Sequence, residues 1–349
     1  MRIVVGTMTG TSMDGVDAAK VCIDGYGESI CATFLQTESC GLGSAKKELL
    51  KLASIGGTKE EMETAAINIG EITAIAISKL HLETVDIIAL HGQTVYHEPP
   101  KSVQLIDPEP ISKKFPCTIL TNPRQGDLLL GGQGAPITPL ADWVMFRSAT
   151  ESTSIVNLGG FCNITVLPAH CQPNQIRGFD VCCCNLLLNA IARERLGEEC
   201  DMNGETALKG CVDKTIRSAL LDRLSAQASA NRSLGTKDDL GEYALQIGKN
   251  TSTQDLLASA VVAIGACISS CCDTQRILLA GGGVYNRALC NAIKNNGTTE
   301  ALGIPVQARE AMAMAILGAL AQDGVSITLP QITGRKETSE CVGWIQASP

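Results

Sequence analysis

The chain has 349 residues, of which 45% are hydrophobic and 18% charged, and this length allows two domains with separate cores. Aromatic residues make up only 3% and the formal net charge is −8, with no lysine- or arginine-rich block. This balance disfavours a nucleic-acid surface, so no nucleic-acid partner is expected. A small anionic ligand would have to be bound by local basic groups and backbone amides.

Sixteen cysteines are many for such a chain. No signal peptide is recognised, and no apolar run is expected to reach the roughly 18 residues that span a bilayer. We therefore expect a cytoplasmic protein with no membrane partner, whose cysteines are thiols and mostly small core residues. No Cys-x-x-Cys pairs recur at zinc-ribbon spacing, so structural zinc is not expected.

Strand-like apolar runs alternate with helical periodicity, which is typical of an α/β architecture with sheets flanked by helices. The predicted strands are 3–5, 18–23, 30–36, 87–90, 117–120, 154–157, 163–167 and 276–279. The predicted helices are 44–53, 59–80, 185–196, 209–228, 253–272 and 309–322.

The first predicted strand breaks into a run of glycine and hydroxyl residues, Gly6-Thr7-Met8-Thr9-Gly10-Thr11-Ser12, with Asp14 at the corner before a second apolar run. Such residues let backbone N–H groups approach a phosphate, and a carboxylate beside them can hold Mg²⁺ through water. The same run also suits the tight turn of a β-hairpin. The segment alone favours neither interpretation.

A polar run from His91 to His97 follows the predicted strand 87–90. Polar groups past the carboxyl end of a strand face the ligand crevice in α/β folds, and Gln93 and Thr94 suit sugar hydroxyl or amide groups. A histidine that is simply satisfied at a strand end is the alternative.

The glycine-rich stretch 131–136 marks the predicted domain boundary. It could be an exposed linker, but Arg124 and Asp127 just upstream favour a binding loop at a cleft.

Asp180 is expected in the loop between a strand and the helix 185–196. A carboxylate there can take a proton from an attacking hydroxyl or water, although a capping role alone is also possible. Asn185 is interpreted as a helix cap or a ligand amide.

Three glycines, Gly281-Gly282-Gly283, follow the predicted strand 276–279 and would let the backbone lie against an adenine ring or a phosphate. Glu310 opens the last helix, either as a partner of the helix dipole or as a group reaching into a cleft. The chain has neither the Walker motif nor the dinucleotide glycine fingerprint.

Two segments of the form strand, glycine turn, strand lie about 150 residues apart, at Gly6 to Gly10 and at Asn157 to Asn163. They indicate a duplicated domain. We expect one domain over 1–135, with 323–349 packing back on it, and a second over 136–322.

Taken in order, these segments resemble the anhydro-N-acetylmuramic acid kinases, within the superfamily of sugar kinases, actin and heat-shock chaperones. The residues that carry the resemblance are 10–17, 91–94, 131–136, 157–160, 163–165, 178–180, 281–283 and 310–311. The resemblance implies two ribonuclease H-like domains, which are duplicated mixed sheets flanked by helices, with an inter-domain active-site cleft. It also implies ATP and Mg²⁺ as cofactors and a homodimer.

The family opens the 1,6-anhydro bridge of anhydro-N-acetylmuramic acid with water and phosphorylates O6, yielding N-acetylmuramic acid 6-phosphate in peptidoglycan recycling. Asp180 would be the general base, and Asp14 would hold Mg²⁺ through water. The residues implied near ATP are Gly10, Thr11, Ser12, Met13, Asp14, Gly15, Val16, Asp17, Asn185, Gly281, Gly282, Gly283 and Asn286. The residues implied near the sugar are Gln93, Thr94, His97, Arg124, Asp127 and Glu310.

The chain departs from the family pattern at three places. After Asp180 it has Val181-Cys182-Cys183-Cys184 where the family has Thr-Gly-Pro-Gly, Tyr96 stands where arginine is typical, and the Pro-Lys-Ser-Thr-Gly segment survives only as 231–235. A kinase for another amino sugar, or a nucleotide-binding relative without turnover, therefore remains an alternative. The intact Asp14 and Asp180 disfavour the second of these.

Overall fold

A computed structural model describes residues 1–10, 13–230 and 232–336, together with the backbone of 345–347. The chain divides into two compact units. Unit 1 consists of Met1–Arg147, Gln172–Asn174 and the described residues from Gly303 onward, and unit 2 consists of Ser148–Cys171 and Gln175–Leu302.

Strands and helices alternate as the sequence predicts. The strands are β1 (Arg2–Thr9), β2 (Gly15–Asp24), β3 (Cys31–Gly41), β4 (Ile87–Leu90), β5 (Gln93–Glu98), β6 (Lys101–Leu105), β7 (Thr118–Thr121), β8 (Thr153–Leu158), β9 (Phe161–Leu167), β10 (Arg177–Cys183), β11 (Arg276–Ala280) and β12 (Ile345–Ala347). The helices are α1 (Ala45–Ile55), α2 (Lys59–Ser78), α3 (Glu109–Ser112), α4 (Gln125–Leu129), α5 (Pro139–Phe146), α6 (Asn185–Leu196), α7 (Lys214–Ala228), α8 (Gly241–Ile247), α9 (Thr253–Ser270), α10 (Arg287–Ala292), α11 (Arg309–Gln322) and α12 (Pro330–Thr333).

Unit 1 is built on a six-stranded sheet with the order β12-β7-β4-β1-β2-β3. Strand β1 is antiparallel to β2 and parallel to β4. The buried helix α11 packs on β1, β2 and β4, and α2 packs on β2 and β3. The β5–β6 hairpin forms a separate two-stranded sheet.

Unit 2 repeats the central part of this order. Its four-stranded sheet runs β10-β9-β8-β11, with β8 antiparallel to β9 and parallel to β11. Strands β11-β8-β9-β10 therefore correspond to β4-β1-β2-β3 of unit 1. Helices α6, α7 and α10 pack against α9, which contacts β10. The repeated strand order agrees with the duplication that the two glycine turns predict.

Several predicted bounds differ from the structure for local reasons. Strand β1 continues to Thr9, so the glycine turn is shorter than expected. Helix α7 begins at Lys214 rather than 209, because the side chain of Asp213 accepts hydrogen bonds from two backbone N–H groups of its first turn. The polar run from Gln93 to His97, which was not predicted as a strand, belongs to β5.

The bounds of the two compact units differ from the domain boundaries predicted at 135 and 322. Both α5 and α11 belong to unit 1, where they pack against each other. The guanidinium of Arg309 on α11 and the carboxylate of Asp142 on α5 form a fully buried ion pair that joins these helices. Unit 1 therefore extends to Arg147 and resumes at Gly303.

Helix α9 is long and apolar enough to cross a membrane, contrary to the expectation that no apolar run has that length. Most of its residues are buried in the core of unit 2. The central helix of a folded domain passes the same test of length and composition, so this observation is weak support for a membrane span.

Candidate functional site

The turn of the β1–β2 hairpin carries the predicted phosphate-binding residues of unit 1. The carbonyl oxygen of Gly10 accepts hydrogen bonds from the backbone N–H of Met13 and from Nε2 of Gln93, both at 3.2 Å. Met13 has a left-handed backbone conformation (φ 53°) and a buried side chain. Thr11 and Ser12 lie outside the described residues. The hairpin interpretation is confirmed, and phosphate binding stays a prediction.

The residues after this turn differ in exposure. The carboxylate of Asp14 is 71% exposed and lies 2.9 Å from Nζ of Lys46 on α1. Gly15, Val16 and Asp17 already belong to β2, and Val16 is buried. Burial also raises the pKa of Asp17. Within the described part of this segment, Asp14 is therefore the carboxylate placed to meet a ligand from solvent.

A buried histidine organises the polar side chains beyond β4. Nε2 of His91 lies 2.8 Å from Nε2 of Gln104 and 3.1 Å from Nη2 of Arg124. Because a guanidinium only donates, Nε2 of His91 must be the acceptor. Nε2 of Gln104 also donates to Oγ1 of Thr94 at 3.3 Å. The structure thus joins Thr94 and Arg124 through His91 and Gln104, which were not among the predicted site residues.

His91 and His97 are both neutral near pH 7. Burial, followed by the charge of Arg124, lowers the pKa of His91 well below its ordinary value. The same two causes lower the pKa of His97 to about 4. Nδ1 of His97 lies 3.1 Å from Oγ of Ser102. At neutral pH neither ring carries a charge that would attract an anion.

Asp127 supports a loop of unit 1 and does not face solvent. Its carboxylate is fully buried and accepts hydrogen bonds from the backbone N–H of Gly134 and from Oγ1 of Thr333, both at 2.7 Å. Nη1 of Arg124 donates to the carbonyl oxygen of Gly134 at 2.6 Å. The glycine-rich stretch is therefore a tethered loop inside unit 1 rather than a linker. Asp127 therefore supports the loop that Arg124 contacts, and its contact with a sugar stays a prediction.

Glu310 lies at the start of α11, as expected, and its side chain is half-buried. It follows Arg309, whose Nε donates to Oδ1 of Asp142 at 2.9 Å. This placement is compatible with both roles considered for Glu310, so contact with a sugar stays a prediction.

Asp180 lies in the strand β10 of unit 2, not in the expected loop. It pairs with Asn163 of β9, and a bulge follows directly, between Asp180 and Cys182. Bulges redirect side chains next to them. Oδ2 of Asp180 accepts a hydrogen bond from the backbone N–H of Leu234 at 2.8 Å. The N-cap position of α6 is Cys184, so the capping interpretation of Asp180 is wrong.

The predicted nucleotide residues of unit 2 meet where β8 and β11 end. Nδ2 of Asn185 donates to the carbonyl oxygen of Leu158 at 2.9 Å. A methyl group on Gly283 would lie 2.6 Å from Cβ of Leu158 and 3.1 Å from Oδ1 of Asn185. One on Gly281, where φ is 79°, would lie 2.6 Å from Oδ1 of Asn157. These two positions require glycine for close packing.

Gly282 and Asn286 are two further residues predicted near the nucleotide. A methyl group on Gly282 would meet no atom within 4 Å, so this glycine borders open space. The side chain of Asn286 caps α10 by accepting a hydrogen bond from the backbone N–H of Leu289 at 3.0 Å. Asn286 therefore has a structural role that the sequence did not predict for it.

The cysteines after Asp180 form part of the core of unit 2. The side chains of Cys182, Cys183 and Cys184 are fully buried, and burial raises the pKa of Cys183 to about 12. The backbone N–H of Cys184 donates to the carbonyl oxygen of Gly160 at 2.9 Å. The cysteines that stand in place of the family glycines thus fill the core. The residue after β10 is hydrogen-bonded to the glycine turn that follows β8.

The donors present fit a magnesium ion only in part. Mg²⁺ is commonly held by one or two carboxylates together with substrate phosphates, and Asp14 offers one exposed carboxylate beside the hairpin. Over residues 1–10, 13–230 and 232–336, no group of three His, Cys, Asp or Glu side chains could hold a metal ion. An ion at Asp14 would need phosphate oxygens to complete its ligands.

Sequence comparison matches the chain to one family over almost its whole length. The family model for anhydro-N-acetylmuramic acid kinase matches residues 2–346. Curated anhydro-N-acetylmuramic acid kinases from Salinibacter ruber and Synechococcus elongatus are each 29% identical to this chain, over 95% of it and over 93% and 96% of the relatives. Component A of the Acidaminococcus fermentans (R)-2-hydroxyglutaryl-CoA dehydratase is a structural neighbour, with a TM-score of 0.46 at 11% identity over 91% of this chain and 98% of that one.

Proposed function

Because the chain belongs to the anhydro-N-acetylmuramic acid kinase family and is a kinase, we propose that it acts on 1,6-anhydro-N-acetylmuramic acid with ATP and water. The products are N-acetylmuramic acid 6-phosphate and ADP, and the pathway served is peptidoglycan recycling. The family match over residues 2–346 carries this proposal.

Asp180 is the proposed general base. Its carboxylate takes a proton from the water that attacks the anomeric carbon, and the bond between that carbon and the bridging oxygen breaks. The freed O6 carries the electron pair, attacks the γ-phosphorus and displaces ADP. The half-buried carboxylate held by Leu234 supports this role, because a base must be fixed in orientation to act.

Groups in unit 1 are proposed to bind the sugar. Arg124 and Thr94 are held in one cluster through His91 and Gln104, and Gln93 contacts the hairpin turn through Gly10. Amide, hydroxyl and guanidinium groups match the hydroxyl, acetamido and carboxylate groups of the substrate. His97 and Glu310 are further proposed contacts.

The β1–β2 turn and the glycines after β11 are proposed to bind ATP, with Asp14 holding Mg²⁺ through water. The ion would neutralise charge on the phosphate groups when bound. Asn185, Gly282 and Asn286 complete the proposed nucleotide residues. The ribonuclease H-like character of the units, a cleft between them, the homodimer and the cytoplasmic location stay predictions.

Incubation of the purified protein with ATP, Mg²⁺ and the anhydro sugar should give a 6-phosphosugar, detected by ³¹P NMR and mass spectrometry. Asp180→Asn should lower kcat by about 10²–10⁴-fold, because the base is lost, while the ATP dissociation constant stays unchanged in calorimetry. Asp273→Asn is the matched control, since Asp273 is an exposed carboxylate of the same unit. Near-normal turnover in Asp180→Asn would remove Asp180 from the base role.

Tyr96 favours a second candidate, a kinase for another amino sugar. Its side chain is 44% exposed on β5, its hydroxyl donates to Oε2 of Glu98 at 2.9 Å, and Nζ of Lys101 lies 5.5 Å from its ring centre. An arginine here could pair with the lactyl carboxylate, whereas tyrosine does not. If the chain is a kinase for another amino sugar, Tyr96→Arg should lower the KM for the lactyl-bearing sugar relative to the KM for N-acetylglucosamine-type sugars. Unchanged specificity in a substrate panel would count against it.

A further inference from the structure

The carboxylate of Asp180 depends on a loop for its orientation. Oδ2 of Asp180 accepts the backbone N–H of Leu234 at 2.8 Å. Leu234 lies in the segment between α7 and α8, which the sequence marks as a departure from the family pattern. A backbone N–H orients a carboxylate only if its loop is itself fixed, so the contacts of this loop decide how well Asp180 is positioned.

Asp238 closes this loop on itself. Its carboxylate accepts hydrogen bonds from both terminal nitrogens of Arg232, at 2.5 and 2.9 Å, and from the backbone N–H of Gly235 at 2.8 Å. The backbone N–H of Asp238 donates to the carbonyl oxygen of Gly235 at 2.8 Å. The hydrogen bond from Arg232 is the main cause that lowers the pKa of Asp238. Leu234 therefore lies between Arg232 and Gly235, which both donate hydrogen bonds to the carboxylate of Asp238.

Gln227, on the last turn of α7, ties this loop to the strand that carries Asp180. Its Nε2 donates to the carbonyl oxygen of Asp238 at 2.6 Å. Its Oε1 accepts the backbone N–H of Cys183 at 2.9 Å. Cys183 is the last residue of β10, three positions after Asp180. One amide side chain thus bridges the loop and the strand.

These contacts form a closed ring, from Asp180 along β10 to Cys183, through Gln227 to Asp238, and back through Leu234 to Asp180. We propose that Gln227 and Asp238 are positioning residues, which hold the carboxylate of Asp180 by fixing the N–H of Leu234 against it. The proposal rests on the proposed function for its catalytic consequence. Neither residue belongs to the substrate- or nucleotide-binding groups described above.

The test compares Gln227→Leu, which removes both hydrogen bonds at similar size, with Gln227→Glu, which keeps an acceptor for Cys183 but loses the donor to Asp238. We expect kcat to fall about 10- to 100-fold in Gln227→Leu and by less in Gln227→Glu, since small misplacements of a catalytic group have effects of this order. KM for the sugar and the ATP dissociation constant should stay within about twofold of wild type. Gln246→Leu, at an exposed position on α8, is the matched control.

A substrate-free measurement separates this inference from the proposed function. The amide proton of Leu234, followed by ¹⁵N-edited NMR, should move upfield in Asp180→Asn and in Gln227→Leu, but not in Gln246→Leu. A wild-type protein that does not turn over the anhydro sugar overturns the proposed function, and the Leu234 resonance then still decides whether Gln227 holds Asp180. An unchanged Leu234 resonance in Gln227→Leu overturns the inference.

Asp238→Asn is the second variant, used because Gln227→Leu could fail to fold. It keeps the backbone carbonyl that Gln227 contacts and removes the charge paired with Arg232. The same upfield movement of the Leu234 amide and the same selective loss of kcat are expected. A folded Asp238→Asn protein with a wild-type resonance and wild-type kcat contradicts the role of Asp238.

Discussion

Neutral histidines are the main feature of unit 1 at the scale of single residues. His91 accepts from Arg124 through Nε2, so a protonated ring would lose this contact and place two positive charges together. Burial and Arg124 lower the pKa values of both His91 and His97. The polar cluster therefore keeps its hydrogen-bond pattern over the neutral pH range.

This arrangement predicts a pH dependence of stability for His97. Its pKa is about 4 in the folded chain and near 6.5 when unfolded, so between these values the unfolded chain binds a proton that the folded chain does not. The free energy of unfolding should therefore decrease as the pH falls from 6.5 towards 4. His97→Asn should make this decrease shallower in urea unfolding at pH 7 and pH 5.

His81→Asn is the control for that measurement, because His81 is exposed. The free energy of unfolding of the His81→Asn variant should depend on pH as that of the wild type does. An equal pH dependence in His97→Asn and wild type would show that His97 is not a source of acid sensitivity.

The contact between α11 and β1 sets the geometry of unit 1 at the scale of elements. Helix α11 is buried on nearly all sides and rich in alanine, which lets its backbone approach the sheet closely. A methyl group on Gly6 of β1 would collide with the backbone oxygen of Ala311 and the backbone nitrogen of Ala315. Backbone atoms cannot rotate away, so the approach depends on glycine at this position.

Gly6→Ala should therefore lower the free energy of unfolding by about 1–3 kcal/mol or more. Gly41→Ala on β3 is the matched control, because its methyl group would lie 3.8 Å from the carbonyl oxygen of Asp14, an ordinary contact. The control should stay within about 0.5 kcal/mol of wild type. Chemical denaturation measures both, and equal losses would contradict a close helix–sheet contact at Gly6.

Each unit buries its own core at the scale of the whole molecule. The buried clusters include several of the cysteines in unit 2, whereas other cysteines lie at the surface. Thiolate is the reactive form of cysteine, so burial slows modification both by blocking access and by raising the thiol pKa.

Brief labelling of the folded protein with iodoacetamide should modify Cys31 and Cys211 first, because both are exposed. Cys162 and Cys182 are buried and should react only after unfolding, as peptide mass spectrometry can show. In a Cys31→Ser/Cys211→Ser double variant, the early labelling at these two positions should be absent. Labelling of Cys182 as fast as Cys31 would mean that the core of unit 2 opens readily. Cys341 lies outside the described residues.

The sequence predicts local features well because they depend on periodicity and turn chemistry within a few residues. All eight predicted strands and six predicted helices have counterparts in the structure, with bounds that differ by a few residues. Four strands, β5, β6, β10 and β12, were not predicted. The polar run of β5 and the cysteine run of β10 lack the alternation that marks a strand. Because Asp180 lies within β10, it is not in the expected loop.

By itself the sequence determined the α/β class, the repeated glycine turns and the family, because these reside in ordered local motifs. Only the tertiary structure decided that Asp127 is buried under a loop, that His91 receives Arg124, and that Gln227 links Asp238 to Cys183. The pairs His91–Arg124 and Gln227–Cys183 join residues 33 and 44 positions apart. A hydrogen bond between such residues exists only once the packing of the elements that carry them has fixed both partners.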